Sequence, residues 1–227
     1  MQLPLIYKKS MQRYFYALGI ILITVLGFNI LGELLGLLSG NGLSGLTLSS
    51  FYHGVADPFL SCSFVLMGVY YLVEPYSEFK IGIQNGQSRW QIWVSQIYGV
   101  LSISIFAWLI YLVGTGFQHL NVATAFGILL LIIDIVAFSY AIGSGFALLS
   151  RLWKIIVGIA LPTILLILMV QIIRLMVNFW HPSAATLNTL AGIFNWHGSW
   201  ILFGLLWLAI MLGCSYLFTM HQQLRRD

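Results

Sequence analysis

Three charged side chains fall inside long apolar runs of this chain, and each needs a chemical reason to be there. Glu33, Asp134 and Arg174 sit in stretches made mostly of Leu, Ile, Val, Phe and small residues. A charge placed in hydrocarbon is costly unless it is paired or faces a polar cavity. Such residues therefore mark helix contacts, substrate paths or proton relays. Counted at helical rise from the outer ends of their runs, Glu33 and Arg174 share a depth of roughly 7–9 Å. That common depth permits an ion pair, within one chain or between two. Its role is open between fixing the packing of helices and lining a polar cavity. Asp134 lies about 18 Å deep, with no cation at its level. Gln171 is the polar side chain that the depths place beside it, and a hydrogen-bonded packing role and a proton relay are both open.

Other chemistry is sparse. His53, His119, His181 and His197 fall singly in or near external loops, without the spacing that would bring imidazoles onto one ion, so interfacial histidines are expected and no metal site. "GNGLSGLTLSS" is glycine-rich but has no Gly-Lys-Ser/Thr, the part of a phosphate-binding loop that grips the terminal phosphates. Neither Cys-x-x-Cys nor His-Glu-x-x-His occurs. The chain is read as carrying no catalytic residue, no metal and no cofactor of its own, and so as no enzyme.

The elements that must position these residues follow from composition. Of 227 residues, 60% are hydrophobic and only 7% charged, where a soluble domain needs roughly a quarter charged. The mean hydropathy is +0.94. Runs of about 20 apolar residues cross a bilayer, and six occur: Tyr14–Leu38, Asp57–Val73, Trp90–Gly116, Val122–Leu149, Ile155–Phe179 and Ser199–Met220. They lack the period-two alternation of a lipid-facing barrel. The fold class is therefore all-α, a single polytopic membrane domain spanning residues 1–227, because lipid offers backbone groups no partner outside a helix.

Orientation comes from Lys and Arg. Lys8, Lys9, Arg13, Lys80, Arg89, Arg151, Lys154, Arg225 and Arg226 all fall on one side of a six-span chain, and the three opposite loops have none. Both termini are expected in the cytoplasm of a multi-pass membrane protein. The net charge of +4 is thus topological, and no basic cluster suits nucleic acid. The first apolar run is longer than a signal-peptide core and lacks a clean cleavage site. Met1–Ser10 reads either as a short helix on the inner leaflet or as a frayed basic tail. Cys62 and Cys214 lie at depths roughly 15 Å apart, too far to bridge. Trp90, Trp93, Trp153, Trp180, Trp196 and Trp200 fall near span edges, as an interfacial belt. Asp57-Pro58 reads as the N-cap and first turn of span two. Small residues in "AIGSGFALLS" allow close helix approach.

The longest polar interval on the cytoplasmic side is "FKIGIQNGQSRWQIW". Pro75 suits the first turn of a helix. Tyr76, Phe79 and Ile83 then share a face at i, i+3 and i+7. Asn85-Gly86 suits a left-handed helix end, and Ser88 with Gln91 forms a capping-box pattern. The spacing predicts a short amphipathic helix, a sharp turn, and a capped third span. As residues alone, this is either an ordinary connection or a docking element that passes force from a soluble partner.

"EFKIGIQNGQSRWQIWVSQI" resembles the loop between the second and third membrane helices in permeases of type-2 ABC exporters from Gram-positive bacteria. Those loops carry an acidic residue, Phe-Lys, apolar positions, then Asn-Gly-x-Ser-Arg. Six spans, cytoplasmic termini and a length near 230 residues are also similar. The architecture covers nearly the whole chain and the motif about 20 residues. The resemblance implies a permease subunit in the bacterial cell membrane, moving an amphipathic or hydrophobic substrate outward. It implies a coupling helix seated on an ATP-binding subunit, with Glu78, Phe79, Lys80, Asn85, Gly86, Ser88 and Arg89 in that role or its support. Implied partners are two ATP-binding subunits holding ATP and Mg, a second permease chain (identical or related), and membrane lipid. It further implies short external helices dipping into the membrane between spans five and six, over His181–Gly198. Two other readings stay open: an ion- or proton-coupled transporter using Glu33, Asp134 and Arg174, and a non-transporting immunity or sensor subunit. A membrane-embedded enzyme is disfavoured, since no catalytic cluster shares a depth.

Overall fold

The computed structural model describes residues 5–38, 48–114, 121–179, 183–195 and 197–223. Among these there are seven helices and no strand: α1 Leu5–Leu38, α2 Leu48–Gln84, α3 Arg89–Gly114, α4 Val122–Leu148, α5 Arg151–Phe179, α6 Ala184–Asn195 and α7 His197–His221. All but α6 are long and apolar enough to cross a membrane. The order and number of the spans agree with the apolar runs.

Two boundaries differ from expectation, for definite reasons. α1 continues unbroken through Leu5–Ser10, so these residues form neither a separate surface helix nor a frayed tail. Tyr7, Ser10, Tyr14 and Leu18 recur at i, i+3, i+7 and i+11, and Ser10, Tyr14 and Leu18 are buried. The Tyr7 hydroxyl meets Ser102 Oγ at 2.9 Å, and Ser10 Oγ meets the Tyr70 hydroxyl at 2.8 Å. Tertiary partners thus hold the helix together past the basic residues.

α2 runs through both Pro58 and Pro75. Asp57-Pro58 is therefore not an N-terminal cap, and Pro75 does not begin a new helix. At 37 residues the helix is roughly 55 Å long, well beyond about 30 Å of hydrocarbon. A proline inside a helix frees the carbonyl four residues earlier, here that of Tyr71. Gly143 of α4 packs against this spot, where a Cβ would lie 2.8 Å from the Leu72 carbonyl oxygen. Gln96 of α3 donates from Nε2 to the Pro75 carbonyl at 3.1 Å. α3 and α4 thus pack directly against the turn that carries the proline.

α2 and α4 form the centre. α2 packs on α1, α3 and α4, and α4 packs also on α3 and α7. Met67, Tyr71, Val100, Ile103, Val136 and Tyr140 make the core. α5 is different. It forms no substantial packing contact with any other described helix, and every residue from Leu161 to Phe179 is exposed. Its anchor is at its start, where Lys154 Nζ sits 5.5 Å from the Tyr76 ring centre.

α6 is one helix of 12 residues, roughly 18 Å long and too short to span. Ser183 caps it by accepting from the Thr186 N–H at 3.2 Å. The Ser199 hydroxyl donates to the Ile193 carbonyl at 2.6 Å, close to the junction with α7. The short external helices expected here reduce, among the described residues, to this single helix packed on α7. His181, Trp180 and Trp196 lie outside the described residues, as do His119, Arg225 and Arg226. Cys62 and Cys214 are free.

Candidate functional site

The α2–α3 elbow is fixed by hydrogen bonds on both sides of its turn. Gly86 has φ of 73°, a left-handed value that suits glycine. The Gln87 N–H reaches the Gly82 carbonyl at 3.0 Å and the Gly86 N–H reaches Ile83 at 3.0 Å. These are the two bonds of a Schellman ending. Two residues on, the Ser88 N–H donates to Gln91 Oε1 at 2.9 Å and the Gln91 N–H to Ser88 Oγ at 3.3 Å. That is the reciprocal capping box. The turn and its caps stand as the spacing of Asn85-Gly86 and Ser88-x-x-Gln91 predicts.

Beneath the turn, Phe79 (1% exposed) packs on Ile92 (0%), flanked by Ile81 and Ile83. Arg89 reaches across to donate to the Met220 carbonyl at the end of α7. Trp90, Trp93 and Tyr216 form an aromatic cluster with ring centres 5.1–5.8 Å apart, and the Trp93 Nε1–H donates to Ser215 Oγ at 3.2 Å. α2, α3 and α7 therefore meet at one rigid base.

The seven elbow residues divide in two. Lys80, Asn85, Gly86, Ser88 and Arg89 are exposed. Glu78 and Phe79 are buried, so they support the elbow from inside and present nothing to a soluble partner. Glu78 lines a small cavity with Ser10, Tyr71, Ser95 and Gln96. Its Oε1 has no hydrogen-bond partner, nor has Ser95 Oγ or the Tyr71 hydroxyl. Gln96 also accepts from the Tyr140 hydroxyl at 2.7 Å, linking the cavity to α4.

The sequence reading did not anticipate this polar cluster, nor the ion pair of Arg13 on α1 with Glu74 on α2. Glu74 also accepts from Ser77. A signal existed: Arg13 and Glu74 both lie at the same edge of adjacent spans, the same depth match applied to Glu33 and Arg174. Buried Ser10, Ser95 and Gln96 carry no such signal, because polar residues near span ends read as interfacial.

Of the intramembrane polar residues, none meets its expected partner. Glu33 is half-buried and Arg174 exposed, and no ion pair joins them. Gln171 sits on the exposed face of α5 and makes no hydrogen bond to Asp134, whose Oδ1 is buried without a partner. Asp134 instead lines a groove of about 810 Å³ between α4 and α7. No group of three or more His, Cys, Asp or Glu side chains able to hold a metal occurs among the described residues. In comparisons with known proteins, no family model, curated protein or solved structure matches the chain.

Proposed function

We propose that this chain is the permease subunit of an ATP-driven exporter, moved by a separate ATP-binding subunit that docks on the α2–α3 elbow. The observation that carries this reading is the elbow itself. A polar tip is held by a Schellman ending, a capping box and a buried Phe79–Ile92 base. Such a tip transmits a push rather than absorbing it, because α2, α3 and α7 are tied there. The motif resemblance supplies the identity of the motor. ATP and Mg belong to that partner, since this chain offers no phosphate-binding loop.

A second chain completes the unit. α5 is apolar, exposed along nearly its whole length, and carries Arg174 without an ion-pair partner. Counted at helical rise, Glu33 lies at a similar depth on α1. An Arg174–Glu33 pair between two copies would satisfy both charges and cover α5. The expected outcome is a dimer that Arg174→Leu weakens and that Arg174→Glu with Glu33→Arg restores, measured by light scattering in mild detergent.

The deciding experiment is co-purification with the ATP-binding subunit from native membranes. Lys80→Glu together with Asn85→Glu changes only exposed atoms of the tip. The expected result is loss of the ATP-binding subunit with insertion and folding intact. Recovery of no ATP-binding protein by the unaltered chain, under conditions that preserve other such complexes, overturns the reading.

A further inference from the structure

The groove between α4 and α7 has the wrong chemistry for a lipid-filled crevice. Its walls are apolar and aromatic, with Leu131, Phe138, Phe203 and Trp207 among them, yet the carboxylate of Asp134 opens onto it. Oδ1 is buried and without a hydrogen-bond partner. Among the described residues, no Lys, Arg or His lines the groove. Arg174, which the sequence places inside the apolar run of α5, lies about 10 Å away in depth, so a neighbouring copy's α5 would present it at the wrong level.

Gly204 keeps the carboxylate open. A Cβ there would lie 3.0 Å from Asp134 Oδ2 and 2.7 Å from Leu130 Cδ2, so a larger residue on α7 would press on the acid and narrow the groove. The rings of Phe138 and Trp207 lie 5.8 Å apart and inclined at 36°, giving a π surface near the acid. Aromatic faces attract cations, and a volume near 810 Å³ falls in the range of sites for drug-sized molecules.

We propose that this groove binds a lipophilic monocation, a molecule with an apolar, ring-bearing body and one positive charge held against Asp134. A cationic guest would supply the counter-charge that the described lining lacks, and an uncharged guest without a hydrogen-bond donor would leave the carboxylate uncompensated. An anion would meet the carboxylate. The inference deepens the export reading by naming a cargo class, and it depends on that reading only for the step from bound ligand to cargo.

The test uses the full chain in nanodiscs, without any ATP-binding subunit, so its failure leaves elbow docking untouched. Tetraphenylphosphonium binding is measured by equilibrium dialysis against protein-free nanodiscs, alongside neutral triphenylphosphine oxide and anionic tetraphenylborate. The expected result is saturable binding of the phosphonium, at least tenfold tighter than either control. Asp134→Asn should weaken it at least tenfold and leave the neutral compound unchanged. Leu131→Trp fills the groove from an exposed position and should abolish binding without disturbing the fold. Absence of saturable binding, equal affinity for the neutral compound, or phosphonium affinity unchanged in Asp134→Asn each overturns the proposal. The last outcome would assign the groove to lipid or to another helix.

Discussion

The two ends of sequence chemistry in this molecule are the α2–α3 elbow and helix α5, and they are built on opposite principles. At the elbow, the turn and the Ser88–Gln91 caps find their partners within the chain, although Glu78 Oε1 and Gln87 Oε1 find none, and Phe79 and Ile92 are almost fully buried. α5 buries nothing along its apolar run, and its Gln171 and Arg174 meet no hydrogen-bond or ion-pair partner among the described residues. Specification from within suits a part that must keep its shape while it is pushed. Exposure suits a part whose partner comes from outside, whether lipid or a second chain.

The sharpest way to break this contrast is to add bulk to a glycine in each region. Gly143 touches the α2 backbone at Tyr71 and Leu72, whereas nothing lies within 4 Å of a Cβ on Gly158 of α5. Gly143→Leu should destabilise the chain by about 3 kcal/mol or more, since backbone cannot yield as a side chain can. Gly158→Leu should stay within about 0.5 kcal/mol. Thermal unfolding in detergent reads both. Equal losses would show α5 to be packed in the free chain and would end the comparison.

Two arginines extend the test. Arg13 is paired with Glu74, with side chains 41% and 16% exposed, while Arg174 has no ion pair among the described residues. Arg13→Leu should cost about 1.5 kcal/mol, between the values for exposed and buried pairs. Arg174→Leu should leave the stability of the single chain unchanged. A double-mutant cycle with Glu74→Leu should recover much of the Arg13 loss. Purely additive losses would mean that the ion pair contributes nothing and that packing alone holds α1 on α2.

How far these regions were legible in the sequence follows from the range of the forces involved. Six spans, the turn at Gly86 and the box at Ser88 depend on composition or on residues within four positions, so the string carries them. The start of α1 and the continuation of α2 past Pro75 do not: Tyr7 is held by Ser102, and Pro75 by Gln96 and the close approach of Gly143. Local rules end a helix at proline, and tertiary contacts overrule them here. Within one chain, depth counting brings neither Glu33 to Arg174 nor Gln171 to Asp134, because equal depth says nothing about azimuth, and α5 stands away from the helices that carry the others.

Within the elbow, Gly86 and the Ser88 cap separate backbone strain from hydrogen bonding. Gly86→Ala must hold a side chain at φ of 73° and should cost about 1 kcal/mol, while Gly86→Asn should cost less, because Asn tolerates that region. If Ala and Asn prove equal, the turn has moved to another conformation and the Schellman bonds no longer define it.

The smallest expected effect is also the most discriminating for how the elbow works. Ser88→Ala removes the oxygen that accepts from Gln91 N–H, and at an exposed helix start that should cost about 0.5 kcal/mol. So small a change leaves the chain folded and inserted. If the elbow transmits a push, however, a looser joint between α2 and α3 should lower transport per ATP hydrolysed well before it lowers stability. Gln91→Ala removes the other half of the box and should do the same, and the two losses together should not add, since either one opens the pair. Measured in reconstituted vesicles, unchanged transport per ATP in both variants would make the capping box a matter of stability alone and leave Phe79, Ile92 and Arg89 as the parts that stiffen the joint.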